Sequence, residues 1–278
     1  MKNLLLSALV LFFVFVSCKN DGCDQPYAFN YDPEGTASEA CVYQPINLTI
    51  AFEPYFGDHK LEQTDAEFID LSEYAGRDLK LRFFGIYLSE ISYKSNEDYV
   101  LLGSQTSDCK LRTDDVHLLK RDDLSYVTTI LPEEGFSFEG IRFNIGVEPC
   151  RNDSLDPTTQ TSGPFKPHVP TMYWSWASGY RFVSLEGEVD ASQNADGSDI
   201  KTFEYHTGLN SLLRKVELDL DNFSTSGNQA IIEVKVDFEE LLADVDFTID
   251  TVTHTTNNLP LATKIADNGS SAFYIIKE

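Results

Sequence analysis

The residues best suited to metal or redox chemistry lie close together in one short segment. Both tryptophans, and the only methionine after the initiator, fall in the stretch Met172-Tyr173-Trp174-Ser175-Trp176. If this stretch is extended, alternation puts Met172, Trp174 and Trp176 on one face and the other two residues on the opposite face. That face then carries a thioether and two indoles, which are soft and oxidisable groups. The alternative is that large side chains here simply fill a core.

The histidines are the other candidate metal ligands, and no two are close enough in sequence to form a local pair. His206 follows a strand pattern at residues 201–205, and His254 lies shortly before the predicted C-terminal strand. A single histidine is more often a surface or core residue than a ligand. Any metal site must therefore be assembled by the fold. The remaining histidines are His59, His117 and His168.

Catalytic motifs are missing from the sequence. It contains no G-x-S-x-G, P-loop, G-x-G-x-x-G or H-E-x-x-H pattern. Acidic residues are so frequent that no carboxylate pair stands out for acid–base catalysis. The sequence therefore favours a binding protein over an enzyme.

The N-terminus has the pattern of an export signal. Lys2 precedes an apolar run from Leu4 to Val16, which is too short to span a bilayer as a helix and is typical of a signal peptide. The run ends at Ser17-Cys18, which resembles a bacterial lipoprotein processing site. We expect residues 1–17 to be removed and Cys18 to carry lipid. This predicts an outer-membrane lipoprotein that is bound to the membrane through its lipid anchor, on the periplasmic or the cell-surface side.

The charge of the chain restricts its partners. The formal net charge is −24, from 45 acidic and 21 basic residues. Such a surface repels polyanions, so nucleic-acid binding is disfavoured.

The cysteines beyond Cys18 indicate disulfides, because an exported chain meets an oxidising environment. Cys23, Cys41, Cys109 and Cys150 allow more than one connectivity. We expect Cys23 to pair with Cys41, which closes a short segment, and Cys109 to pair with Cys150. A thiolate metal site is disfavoured because no C-x-x-C spacing occurs.

From Ile46 onwards the pattern is that of short strands separated by turn-rich loops, which predicts an all-β protein. We expect a β-sandwich with Greek-key-like connections and few short helical turns, the best of them at residues 239–244. Residues 18–45 would form a lipid tether and a small Cys-closed spacer module, and residues 46–278 the main domain. Strands are expected near 46–52, 79–93, 98–103, 125–131, 136–147, 180–189, 200–206, 212–220, 229–238 and 271–276.

Several motifs resemble those of the MbnP-like family, which comprises exported copper-binding proteins named for a methanobactin-associated member. Residues 170–187 resemble its signature M-Y-W-x-W-x-x-G-Y-x-F-x-x-x-E-G. Residues 81–91 are similar to its aromatic-rich strand, and residues 203–208 to its F-x-x-H-x-G element. Residues 22–43 resemble a small disulfide-closed repeat of secreted bacterial proteins.

The resemblance implies a copper site, with copper as Cu(I) or Cu(II). In the family, histidines bind together with a tryptophan that a di-haem cytochrome c peroxidase-like partner oxidises to kynurenine. His206 matches the H-x-G position and His254 a later histidine, while Trp174 or Trp176 would be the modified residue. Imidazole suits copper, a thioether such as that of Met172 favours Cu(I), and opening an indole yields an aniline nitrogen that can coordinate. Met172 is equally consistent with packing.

Two functions follow from the sequence. The first is a lipid-anchored copper-binding protein for copper acquisition or handling. The alternative is a cell-surface module that binds carbohydrate or peptide, with the Trp and Tyr side chains as an aromatic platform. The alternative needs no histidine.

Overall fold

The computed structural model describes residues 22–36, 41–61, 78–103, 106, 108–174, 179–192, 194 and 196–276. The signal peptide, Cys18 and Trp176 lie outside these residues, so the predictions made for them are not addressed by the structure. Among the described residues, no helix combines the length and the apolar character needed to cross a bilayer.

Most of the regular structure is β-strand. The strands are β1 Ile46–Phe56, β2 His59–Lys60, β3 Leu79–Ser95, β4 Asp98–Leu101, β5 His117–Lys120, β6 Ser125–Ile130, β7 Gly140–Ile145, β8 Tyr173–Trp174, β9 Gly179–Tyr180, β10 Val183–Asp190, β11 Ile200–Thr207, β12 Arg214–Asp219, β13 Gln229–Asp237, β14 Val252–His254 and β15 Phe273–Ile275. The helices are α1 Pro149–Asn152, α2 Phe238–Leu241 and α3 Leu259–Gly269, with 3-10 turns at Pro157–Thr159 and Asn210–Leu212.

The strands form two large sheets and one hairpin. The smaller sheet has the order β15-β13-β1-β2, with β6 also paired to β1. The larger sheet has the order β12-β7-β3-β10-β11-β14, with β4 and β5 paired to β3, and β8 and β9 form the hairpin. The pairs β1–β13 and β11–β14 are parallel, so they are joined by crossover connections rather than by hairpin turns. The predicted all-β sandwich is confirmed.

The main core lies between the two large sheets. Along β1, buried and half-buried residues alternate, so one face of the strand points into the core. Leu48, Ile50 and Phe52 belong to the same apolar cluster as Phe84 and Leu88 of the larger sheet. Burial of these alternating faces supplies the main driving force for joining the sheets.

A second, smaller core covers the outer face of the larger sheet. Strand β3 is buried on both sides over much of its length, because alternate residues face the two cores. Tyr87 of β3 packs there with Phe165, Met172, Tyr180 and Phe182. The long connection between β7 and β10, which includes α1 and the β8–β9 hairpin, therefore forms a third layer.

The expected disulfides Cys23–Cys41 and Cys109–Cys150 are both present. The first closes the small N-terminal segment. That segment contacts the sandwich through Tyr27, whose ring centroid lies 5.2 Å from that of Phe136 and 5.8 Å from that of Phe223. It is therefore docked against the main body at this point.

Strands β2, β5 and β14, helices α1 and α3 and the two 3-10 turns were not predicted from the sequence. Helix α3 has eleven residues, so it is longer than the short helical turns that were expected. Its start does have a local signal, because the Asn258 side chain accepts a hydrogen bond from the backbone N–H of Leu261 and a proline occupies the first turn. The turn predicted at 239–244 is α2, which begins one residue earlier and ends at Leu241.

Candidate metal centre

Neighbouring strands of the larger sheet bring His206 and His254 side by side. Ser184 of β10 is opposite both Gly85 of β3 and His206 of β11. His206 is in turn opposite His254 of β14. Directly opposed residues point to the same side of a sheet, so this row lies on one face. His254 was expected just before the C-terminal strand, but it ends a short strand of its own, and α3 follows it.

The two imidazoles face each other through their Nδ1 atoms, which are 2.9 Å apart. Glu204 lies two residues before His206 on the same strand, and its Oε2 is 3.9 Å from His254 Nε2. Each of Glu204, His206 and His254 offers one potential ligand atom within 4.8 Å of the others. Among the described residues this is the only group of three such side chains.

The environment of His206 keeps its imidazole neutral. Its side chain is almost fully buried, and burial lowers its pKa to about 3, with the positive charge of Arg181 and the nearby His254 acting in the same direction. The closest hydrogen-bond partner of the ring nitrogen Nε2 is Glu186 Oε1, at 2.9 Å. We infer that Nε2–H donates to Glu186, which leaves the Nδ1 lone pair directed towards His254. Metal-binding histidines are oriented in this way by carboxylates.

The geometry fits a single metal ion between the two histidines. The two Nδ1 atoms are 2.9 Å apart, so one ion could lie within about 2.0–2.1 Å of both, the usual distance to an imidazole nitrogen. Glu204 adds an oxygen donor. Imidazole nitrogen suits Cu, Zn, Fe and Ni, and divalent copper has the highest affinity of the first-row series.

Trp174 borders this cluster, and Met172 lies further away. The Trp174 side chain is 3% exposed, and the guanidinium carbon of Arg181 lies 5.7 Å from its ring centroid. Arg181 Nη1 is in turn 3.4 Å from His206 Nε2. Met172 is buried over Gly85, with Sδ 2.7 Å from the position that a Cβ there would occupy. Gly85 lies on β3, and β10 with Ser184 separates it from His206 on β11. Met172 therefore packs on a different strand from His206, and its contacts are those of a packing residue.

The other histidines have separate surroundings. His117 lies near the main core, with Nε2 3.1 Å from the backbone oxygen of Asp123. His168 Nε2 is 2.8 Å from the backbone oxygen of Pro164. His59 is exposed on β2.

Glu186 and Arg181 were not assigned to the site from the sequence, and Glu204 was not assigned as a ligand. A signal was available for the two glutamates. Ser184 and Glu186 on one strand, and Glu204 and His206 on the next, are polar residues at alternate positions, which marks one face of each strand. Arg181 has no comparable signal because it lies between β9 and β10.

Gly208 allows the indole of Trp174 to pack against the chain just after β11. A Cβ at this position would overlap the Trp174 ring and would lie 2.7 Å from the backbone oxygen of Tyr180. We expect Gly208→Ala to lower the free energy of unfolding by roughly 1–3 kcal/mol, as overpacking does, and to shift the tryptophan emission. Urea denaturation and fluorescence measure both effects. Gly179→Ala is the control, because its nearest neighbour is an Asn152 oxygen at 3.3 Å, and equal stability of the two variants would contradict the prediction.

Fold and site together define an all-β protein with a cluster of two histidines and one carboxylate of the kind that binds a metal ion. The sequence model of the MbnP family matches residues 45–258, so the chain belongs to the MbnP family. Among solved structures, MbnP from Methylosinus trichosporium is 15% identical over 76% of this chain and 82% of that chain, with a TM-score of 0.48. A comparison with curated protein sequences found no match. Family membership confirms the resemblance drawn from the sequence and indicates a copper-related role.

Proposed function

We propose that this protein binds a copper ion at His206 and His254 and serves in copper acquisition or handling rather than in catalysis. The observation that carries the proposal is the facing pair of Nδ1 atoms, 2.9 Å apart, in a chain of the MbnP family. Glu204 supplies an oxygen beside them. Copper is here the cargo of the protein.

The residues around the pair support binding before any ion arrives. His206 is neutral because of its burial, so no proton has to leave it at neutral pH. Glu186 fixes the orientation of the ring through Nε2. The site is therefore preorganised on two paired strands, which lowers the cost of ordering the ligands.

We also propose that Trp174 or Trp176 is oxidised to kynurenine by a di-haem cytochrome c peroxidase-like partner. Trp174 supports this proposal, because it borders His206 through Arg181 and Gly208. Opening its indole would produce an aniline nitrogen next to the strand that carries His206, and such a nitrogen can coordinate copper.

The proposed location is the outer membrane. Residues 1–17 would direct export and Cys18 would carry the lipid, which leaves residues 18–45 as the tether and Cys-closed module. Intact mass and lipid labelling of the protein from its native host test this directly. A mature chain without lipid, or one that starts elsewhere than Cys18, would contradict it.

Elemental mass spectrometry tests the copper proposal on protein purified from its native host, followed by titration of the emptied protein with Cu(I) and Cu(II). We expect one copper ion per chain. Peptide mass analysis of residues 171–182 is expected to show kynurenine at one tryptophan. Protein that stays empty with both copper ions would contradict the proposal, and intact indoles in copper-loaded protein would contradict only the oxidation.

The alternative of an aromatic platform for carbohydrate or peptide receives no support from Trp174. Its indole is buried, so it has no open face on which a sugar or peptide could stack.

A further inference from the structure

A cavity of about 270 Å³ lies beside the β8–β9 hairpin, on the outer face of the larger sheet. Its floor is formed by Tyr87, Met172 and Tyr180, which are all buried. Lys166 and His168 lie at its rim, with side chains that are exposed or half-buried. None of these residues belongs to the proposed copper site.

The hydroxyl group of Tyr180 is buried and has no hydrogen-bond partner among the described residues. The neighbouring Tyr87 differs, since its hydroxyl donates to the backbone oxygen of Pro164 at 2.9 Å. Burial raises the pKa of Tyr180, so its hydroxyl keeps its proton and can donate. A buried polar group without a partner is unfavourable, and a ligand that supplies the partner removes that penalty.

The rim of the cavity carries a lysine, Lys166, although the chain as a whole is strongly acidic. Lys166 has no carboxylate within ion-pair distance in the part of the chain that the structure describes. The pKa of His168 is lowered by burial and further by the charges of Lys120 and Lys166. Lys120 is paired with Asp122 at 2.7 Å. Lys166 is therefore the lysine beside the cavity that can form an ion pair with an anionic ligand.

The size and lining of the cavity restrict the ligand further. Its volume is near the lower limit of about 300 Å³ for small-molecule pockets, which suits one ring rather than an oligosaccharide. The rings of Tyr87, Tyr173 and Tyr180 and the thioether of Met172 present flat, polarizable surfaces. Such surfaces favour an aromatic ring over a sugar, which needs many hydrogen bonds.

We propose that this cavity binds a small planar aromatic carboxylate with a polar substituent opposite the carboxyl group. Its ring lies among the tyrosine rings and the Met172 thioether, its carboxylate pairs with Lys166, and its substituent accepts the hydrogen bond of Tyr180. The site is separate from the copper site and does not depend on it.

Met172 provides the probe, because it is the only methionine after Met1. In protein that starts at residue 18 and carries ¹³C at the methionine methyl group, titration with 4-hydroxybenzoate is expected to shift the Met172 resonance upfield through the ring current. We expect saturation with a Kd at or below about 1 mM, which is reasonable for a ligand of this size. No shift up to about 10 mM, where even a very weak complex would form, would overturn the proposal.

Two variants test the assigned contacts. Tyr180→Phe is expected to weaken 4-hydroxybenzoate binding about 5–10-fold, which corresponds to one hydrogen bond. Lys166→Gln is expected to weaken 4-hydroxybenzoate but not the neutral 4-hydroxybenzamide. Lys215→Gln, which changes an exposed lysine paired with Glu217 on β12, is the matched control and should leave both affinities unchanged. If both test variants bind 4-hydroxybenzoate as the unmodified protein does, the proposal is wrong, whatever the result of the copper titrations.

Discussion

Replacement of His206 with alanine is expected to lower the affinity for copper by about two to three orders of magnitude. The free energy of metal binding at a four-ligand site is about 10–16 kcal/mol in total, so one ligand accounts for about 2.5–4 kcal/mol of it. The substitution also removes the ring that Glu186 orients, so His254 and Glu204 remain of the three clustered residues. Titration against a chelator of known copper affinity measures the change.

His254→Ala extends this test, because His254 is more exposed and contributes less to packing. It should reduce copper affinity by a similar factor while leaving the stability of the copper-free protein nearly unchanged. His59→Ala is the matched control, since His59 is exposed on β2. Unchanged copper affinity in both His206→Ala and His254→Ala would exclude the proposed site.

The second large effect is expected for the substitution Arg151→Met. It should lower the free energy of unfolding by roughly 3–5 kcal/mol. Arg151 is fully buried and makes a two-bond contact with Asp115, at 2.7 and 3.0 Å. It also bonds Glu148 and the backbone oxygen of Arg112. Removing the guanidinium would leave Glu148 without this ion pair and Asp115 with the more distant Arg112, whose Nε lies 3.7 Å from its Oδ2.

Calorimetry or urea denaturation checks this result, and the loss corresponds to a fall in Tm of roughly 10 °C for a chain of this size. Arg214→Met is the control, because it makes the same change in a more exposed ion pair with Asp267, where we expect less than about 1 kcal/mol. Equal losses of unfolding free energy in Arg151→Met and Arg214→Met would contradict the stabilising role assigned to the buried ion pairs of Arg151.

This network also positions the hairpin next to the metal centre. Arg151 lies in α1, and the following residue, Asn152, accepts a hydrogen bond from the backbone N–H of Tyr180 at 2.8 Å. Tyr180 is opposite Tyr173 in the hairpin that carries Trp174. The disulfide from Cys150 to Cys109 holds the same helix. We therefore expect Arg151→Met to change the tryptophan emission as well as the stability.

Local patterns determined much of the fold. Alternation along a strand depends only on which residues prefer burial. Strand β13 was therefore predicted to within one residue of its observed bounds, and β1 was predicted from its first residue, although it continues four residues beyond the predicted end. The same alternation is seen at residues 172–174, where Met172 and Trp174 are buried and Tyr173 is half-buried. The pairing of Cys23 with Cys41 follows from their short separation. Strand β14 was missed because three residues carry too little periodic signal.

The candidate metal centre was determined only in part by the sequence. The family motif singled out His206, and a looser match indicated His254, but neither predicted that their Nδ1 atoms face each other. That contact depends on the parallel pairing of β14 beside β11, between residues 48 positions apart. The roles of Glu186 and Arg181, and the position of Met172 over Gly85, likewise depend on register between strands distant in sequence. Residue types are local properties, whereas register is fixed by packing of the whole sheet, so the sequence determined the ligand types and the tertiary structure decided which of them meet.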